Sequence, residues 1–289
     1  MALAATLLPF ALAIIMLGLG LSLTMADFKR VLAYPRATLV ALGCQIVILP
    51  ALCFGLVILF DLPPVLAVGM MLLAASPGGT TANLYSHLFG GDVALNITLT
   101  AINSVLAIIT LPLVTNLSIG YFASDGTLLS LEFAEFAKVV ALVLIPVAIG
   151  MLIRAYATAF ADRMAKPVKI TSAVVLILVI AAVMIKEREN LGDYIASVGL
   201  ICLIFSAVSL AIGYYAPRLA KVERGQAIAS CFEIGLHNAT LSITVATTLL
   251  ANDQMSIPSA TYGVLMFFTA TAAGFLLRSR SARLERSAA

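Results

Sequence analysis

Long apolar stretches separated by short polar joints make up almost the whole chain. Nine are of membrane-spanning length, at approximately 3–24, 37–60, 65–88, 93–116, 131–153, 168–186, 194–216, 225–250 and 257–277. A bilayer core about 30 Å thick requires roughly 20 apolar residues of helix, so the pattern predicts an all-α integral membrane protein with nine transmembrane helices. Two stretches are interrupted. The third contains Ser76-Pro77-Gly78-Gly79-Thr80-Thr81-Ala82-Asn83, and the eighth contains Cys231-Phe232-Glu233-Ile234-Gly235-Leu236-His237-Asn238-Ala239-Thr240. A Pro-Gly-Gly break frees backbone groups that lipid cannot satisfy, so it must face protein or a water-filled cavity. A carboxylate such as Glu233 at that depth costs several kcal/mol unless paired or hydrated, which marks it as functional. The plainer alternatives are a proline kink that eases packing and a glutamate fixed by hydrogen bonds to neighbouring helices. The interruptions lie five spans apart. If spans one to four correspond to spans six to nine, that odd offset gives the halves opposite topology and leaves the fifth unpaired. Inverted repeats with discontinuous helices at matching positions are the pattern of alternating-access transporters.

Composition narrows the class further. Of 289 residues, 62% are hydrophobic and 11% charged, and the mean hydropathy is +1.10. That leaves too little polar material for a soluble surface and points to one polytopic membrane unit over 1–289, with lipid and not nucleic acid as its surroundings. The net charge of +3 matters less than where the basic residues fall. Lys29, Arg30 and Arg36 follow the first span; Arg154, Arg163, Lys166 and Lys169 the fifth; Arg218, Lys221 and Arg224 the seventh; Arg278, Arg280, Arg283 and Arg286 the ninth. These fourteen share one side, with Lys186 and Arg188 on the other, so the C-terminus is expected in the cytoplasm and the N-terminus outside the cell (inner) membrane. Lys138, with Glu132 and Glu135, reads as the solvated outer start of the fifth span. Met1 to Thr24 lacks a basic leader and reads as a first span, not a cleaved signal. Cys44, Cys53, Cys202 and Cys231 lie in apolar runs without CxxC spacing and read as small buried hydrophobes.

Rival chemistries find less support. Glu233 and His237 have the i,i+4 spacing that can hold zinc, but two ligands are too few, and His87 falls at the cytoplasmic end of the third span. An intramembrane enzyme would use Glu233, His237 or Asp92, yet GxSxG, HExxH and paired aspartates within spans are all missing, and Asp92 reads as a loop residue. A channel or a uniporter of weak acids stays open, as does proton coupling.

The run Ser76 to Asn83, followed by Gly91-Asp92-Val93-Ala94-Leu95-Asn96 and Thr100, resembles the bile acid:sodium symporter family. So do Glu233-Ile234-Gly235-Leu236-His237-Asn238, Ile15 to Leu21, and Asp27-Phe28 followed by Pro35. The likeness covers nearly the whole chain. It implies sodium-coupled symport of a small organic anion, such as a bile acid, a sulfated steroid, a pantothenate-like acid or a keto acid, by a protein acting as a monomer. Bacterial members have ten spans, and the resemblance implies that the nine expected here correspond to those of the animal carriers, without the first. A panel would comprise spans one, five and six, and a core spans two to four and seven to nine, the broken helices crossing in the core.

Position by position, the resemblance assigns one sodium to Asn83, Asn96, Thr100 and Glu233, with Ala82 where a serine often helps. Asn96 and Thr100 share one helix face, and the longer Asn96 amide would compensate for Ala82. A second sodium would take Gln45, Glu233 and the carbonyls of Ile234 and Leu236. His237 stands where a second glutamine belongs and offers a poorer ligand, so one or two ions, or a proton in place of the second, are expected. Substrate-facing candidates are Thr80, Thr81 and Asn238. The family's polar pair on the last helix is replaced by Met266 and Phe267, with Thr269 and Thr271 nearby. The more distant arsenite carriers use a thiol where Ser76 stands.

Overall fold

A segment in lipid must satisfy its own backbone, and nearly everything that the computed structural model describes is helix. Described are residues 13–123, 133–174 and 191–288, apart from positions 15, 19, 22, 30, 31, 165, 169, 172 and 173. Most of the sixth expected span, the start of the first, and Glu132, Lys186 and Arg188 lie outside them, as do the side chains of Glu135 and Lys138.

After helical residues between 13 and 21 come α1 (Pro35–Leu59), α2 (Pro64–Ala75), α3 (Thr80–Phe89), α4 (Val93–Phe122) and α5 (Phe133–Tyr156). Then follow α6 (Leu191–Leu219), α7 (Arg224–Gly235), α8 (Ala239–Leu249) and α9 (Ile257–Ala288). Among the described residues four helices are long and apolar enough to cross a bilayer: Pro35–Leu59, Val93–Phe122, Val198–Leu219 and Gln254–Arg278. That is fewer than nine. Two expected spans are each divided into halves of 12 residues or fewer, and at 1.5 Å per residue such a half reaches only part-way across the core. Three more spans fall wholly or partly on residues or side chains outside those described.

Some element boundaries recur at a fixed offset. The end of α1 and both ends of α2 recur 160 positions on, at the end of α6 and the ends of α7 (59 to 219, 64 to 224, 75 to 235). The turns repeat too. Asp61 and Lys221 both take the left-handed conformation (φ 47° and 58°), and behind them Leu62 N–H reaches the Val57 carbonyl as Val222 N–H reaches that of Pro217. The turning residues themselves, Asp61 and Lys221, differ in chemistry.

Joints far apart in sequence meet. Asp92 N–H donates to the Gly225 carbonyl at 2.9 Å, placing the α3–α4 joint beside the start of α7. Arg224 Nη2 donates to the Leu277 carbonyl at 2.6 Å, bringing the apolar end of α9 to the same place. The first span packs on α5 through glycines: a Cβ at Gly20 would overlap the Val147 carbonyl oxygen, and one at Gly150 would lie 2.7 Å from Leu21 N. Leu39, Val47, Leu113 and Phe268 are exposed as lipid-facing side chains should be. The four cysteines are buried free thiols, as read from the sequence. Two helices outrun their apolar stretches, α4 to Phe122 and α9 to Ala288. Hydropathy marks the lipid boundary, whereas the Arg-, Ala- and Leu-containing tail of α9 keeps helix propensity beyond it.

Candidate functional site

The two breaks cross and pair. Ser76 to Gly79 and Leu236 to Asn238 form a short antiparallel bridge at Gly78 and His237, with Gly79 N–H donating to the Leu236 carbonyl at 3.0 Å and Asn238 N–H to the Pro77 carbonyl at 2.8 Å. Each break therefore satisfies backbone groups that the other frees, which lipid could not do. Pro77 leaves no orphan N–H, and two more carbonyls accept from side chains. Gln45 Nε2 donates to Ser76 O at 3.0 Å, and Tyr262 Oη to Gly235 O at 2.9 Å. Gln45 is carried by a π-turn, Cys44–Ile48, that re-aims this stretch of α1.

Glu233, near the C-terminal end of α7, is fully buried. Its Oε2 lies 2.6 Å from Thr100 Oγ1 and its Oε1 accepts from Asn103 Nδ2 at 3.1 Å, both on α4. The Arg154–Asp162 contact is the ion pair found among the described residues, far from Glu233 in sequence. The carboxylate is thus held by two neutral donors, and Thr100 Oγ1 has one proton for two acceptors, since it also faces Asn96 O at 3.0 Å.

Several amide oxygens of the described residues are left bare. Gln45 Oε1, Asn83 Oδ1, Asn96 Oδ1 and Asn103 Oδ1 are buried with no protein donor. Three of these orientations are dictated by chemistry, because each partner of the NH2 group can only accept: Ser76 O for Gln45, Ala229 O (2.8 Å) for Asn96, and the Glu233 carboxylate for Asn103. Buried acceptors in such surplus cost about 1–3 kcal/mol each, unless something positive or a donor meets them. A small hard cation is the species that oxygen ligands of this kind suit, and the residues present fit sodium.

The other sequence-derived candidates are placed as follows. Asn83 is half-buried on α3, and Ile234 and Leu236 are buried at the end of α7. Asn96 Nδ2 also donates to Ser86 Oγ at 2.9 Å, one helical turn after Ala82. Thr81 is half-buried; the Thr80 side chain lies outside the described residues. Asn238 caps α8, its Oδ1 accepting from Leu241 N at 3.0 Å. Asp92 caps α4 in the same way through Leu95 N. Met266 packs in the core, while Phe267 stacks on Tyr85, whose hydroxyl meets Phe267 O and Thr271 Oγ1. His237 turns toward α6 and α9, with ring centroids 5.3 Å from both Phe205 and Tyr262.

Two residues were missed. Asn103 carries a readable signal, since Asn96, Thr100 and Asn103 recur at i, i+4 and i+7 on one face of an apolar helix. Tyr262 carries none. Its single proton goes to Gly235 O, so the 3.1 Å contact with His237 Nδ1 requires the imidazole to donate from Nδ1 and to leave Nε2 as a lone pair. The Tyr262→Phe substitution strands both groups and is expected to destabilise the protein by about 1–3 kcal/mol. Thermal melting in sodium-free buffer measures it, and an unchanged midpoint would show that the hydroxyl is not the link.

Comparison with known proteins completes the picture. The profile of the sodium bile acid symporter family matches residues 9–194. The "uncharacterized sodium-dependent transporter YocS" of Bacillus subtilis (strain 168) is 29% identical over 256 residues, covering 88% of this chain and 77% of its own. The "probable sodium/metabolite cotransporter BASS1, chloroplastic" of Arabidopsis thaliana is 28% identical over 284 residues, covering 95% and 67%. The ileal sodium/bile acid cotransporter of Homo sapiens is 23% identical over 254 residues, covering 87% and 72%. These relatives are transporters, which removes the intramembrane-enzyme alternative. With the match spanning more than half of its length, the chain belongs to the sodium bile acid symporter family.

Proposed function

We propose that this protein couples the entry of sodium to that of a small organic anion by alternating access across the cell (inner) membrane. The observation that carries the reading is a buried carboxylate met by two neutral donors, Thr100 and Asn103, beside the pairing of two broken helices, with the Asn103 amide oxygen left bare. Sodium in the first position takes Asn83, Asn96, Thr100 and Glu233; Gln45 and the carbonyls of Ile234 and Leu236 belong to a second. Without the ion, Glu233 would repel an anionic substrate. With it, the charge is cancelled and both breaks are tied together, so ion and substrate raise each other's affinity by the same factor. The N-terminal ends of α3 and α8 both face the crossing, beside Thr80, Thr81 and Asn238, and offer positive potential to a monoanion.

The scaffold follows the same logic. Nine spans arranged as an inverted repeat, with the C-terminus cytoplasmic, agree with the 160-residue recurrence and with basic residues gathered where the α3–α4 joint, the start of α7 and the end of α9 meet. Spans one, five and six form a panel, against which the core rocks as a monomer. The relatives' names mention bile acid and metabolite, and the apolar Met266 and Phe267 favour an organic anion with a hydrophobic body. The test is accumulation in proteoliposomes. A panel of small carboxylates and a bile acid is first screened by thermal shift with and without sodium. The hit is expected to rise above its outside concentration only under an inward sodium gradient; equal uptake in potassium, or equilibration without accumulation, would refute the proposal.

A further inference from the structure

The half-helix α3 is cut off from α2 by the Pro-Gly-Gly break, and at 10 residues it is too short to keep a direction of its own, so its placement depends on what it touches. One tie runs to α4, through Ser86 and Asn96. Another runs to α9. Tyr85 Oη lies 3.1 Å from the Phe267 carbonyl oxygen and 3.0 Å from Thr271 Oγ1, and Thr271 Oγ1 lies 2.7 Å from that same carbonyl. The carbonyl can only accept, so two hydroxyl protons hold the three oxygens together. Rings back the contact. Tyr85 packs on Phe232 of α7 at 5.5 Å between centroids, and Phe89, one turn on, sits where a Cβ at Gly274 of α9 would overlap its ring.

Its place in the chain makes this tie consequential. Thr81 precedes Tyr85 by one turn on the same helix face, and Asn83, whose Oδ1 is buried with no protein donor, precedes it by two residues. A tilt or rotation of α3 that broke the Tyr85 contacts would carry both away. We propose that Tyr85 is a positioning residue: with Thr271 and the Phe267 carbonyl it latches α3 to α9 and so fixes where Asn83 and Thr81 stand. This rests on the sodium-symport reading and adds to it a residue that acts through its neighbours on α3. It also gives Phe267 and Thr271 a task, since α9 uses a carbonyl, a ring and a hydroxyl there to hold the half-helix. With the latch open, α3 samples placements of which only some present Asn83 correctly, and apparent affinity falls by that fraction.

Equilibrium binding of radioactive sodium to the purified full-length protein tests it, because affinity and capacity separate positioning from mere folding. Tyr85→Phe keeps the ring and should raise the sodium Kd about fivefold at unchanged capacity, the equivalent of the ~1 kcal/mol of one hydrogen bond. Thr271→Val leaves the Phe267 carbonyl as a partner for Tyr85 and should cost less, and in the Tyr85→Phe background it should cost nothing more. Thr271→Ser keeps the hydroxyl and should bind as the unaltered chain does. Reduced capacity at unchanged Kd in Tyr85→Phe, the mark of a hydroxyl that only keeps the chain folded, would overturn the proposal. So would an unchanged Kd at full capacity, or losses that multiply in the double variant. No saturable binding in the unaltered chain would bring down the sodium reading itself, and the latch's role with it.

Discussion

The Gly78→Ala substitution is expected to abolish sodium-driven uptake while Gly79→Ala, one residue on, leaves most of it. A Cβ at position 78 would collide with Glu233 Oε1 and Cδ and lie 2.6 Å from the Glu233 backbone oxygen. The side chain could swing aside only by leaving Thr100 and Asn103, and the carbonyl could move only by distorting the last turn of α7. Overpacking of this sort costs roughly 1–3 kcal/mol, and here the displaced group is the charged ligand. At position 79 the nearest atoms to a Cβ are 3.5 Å and 3.8 Å away, and φ is −102°, which any residue adopts. Uptake and thermal melting of the two variants side by side measure the difference. Equal behaviour would mean that the crossing is looser than described.

Glu233→Gln is expected to lower sodium-driven uptake by roughly a hundredfold, at the upper end of losses seen when a metal site is disturbed, while leaving the protein in the membrane. Its effect on stability should have the opposite sign to the usual core lesion. Without sodium the unaltered chain keeps a carboxylate away from water with two neutral donors, and a neutral amide avoids that desolvation. The variant should therefore melt no lower in sodium-free buffer. With sodium at 100 times its Kd the unaltered chain gains about 2.7 kcal/mol, a gain that the variant should lack. Unchanged sodium-driven transport would remove Glu233 from the site.

Much of this was legible in the residues. Pro-Gly-Gly and an isolated glutamate inside apolar runs point to breaks turned away from lipid, and the breaks do meet. Thr100 and Glu233, assigned by the resemblance to one ion, lie in hydrogen-bond contact. Less legible was whatever depends on contact between distant segments. Asn103 was overlooked although it continues the polar face of Asn96 and Thr100. Tyr262 lies in a run whose pattern says only that it is apolar, and its role exists only because α9 passes the end of α7. The resemblance puts His237 where a second glutamine belongs among the ion ligands; α7 stops at Gly235, and the ring meets Phe205 and Tyr262, contacts that sequence spacing does not reveal. The correspondence of the halves was legible only in the positions of the two breaks, because side chains at matching turns, Asp61 and Lys221, share a backbone conformation and no chemistry.

Equilibrium binding of radioactive sodium to the purified protein, with potassium, lithium and choline as competitors, bears most directly on the crossing as an ion site. Saturable binding that resists potassium and choline and disappears in Glu233→Gln is the predicted result. A folded protein that binds no sodium, or binds it equally well without the carboxylate, would contradict the account.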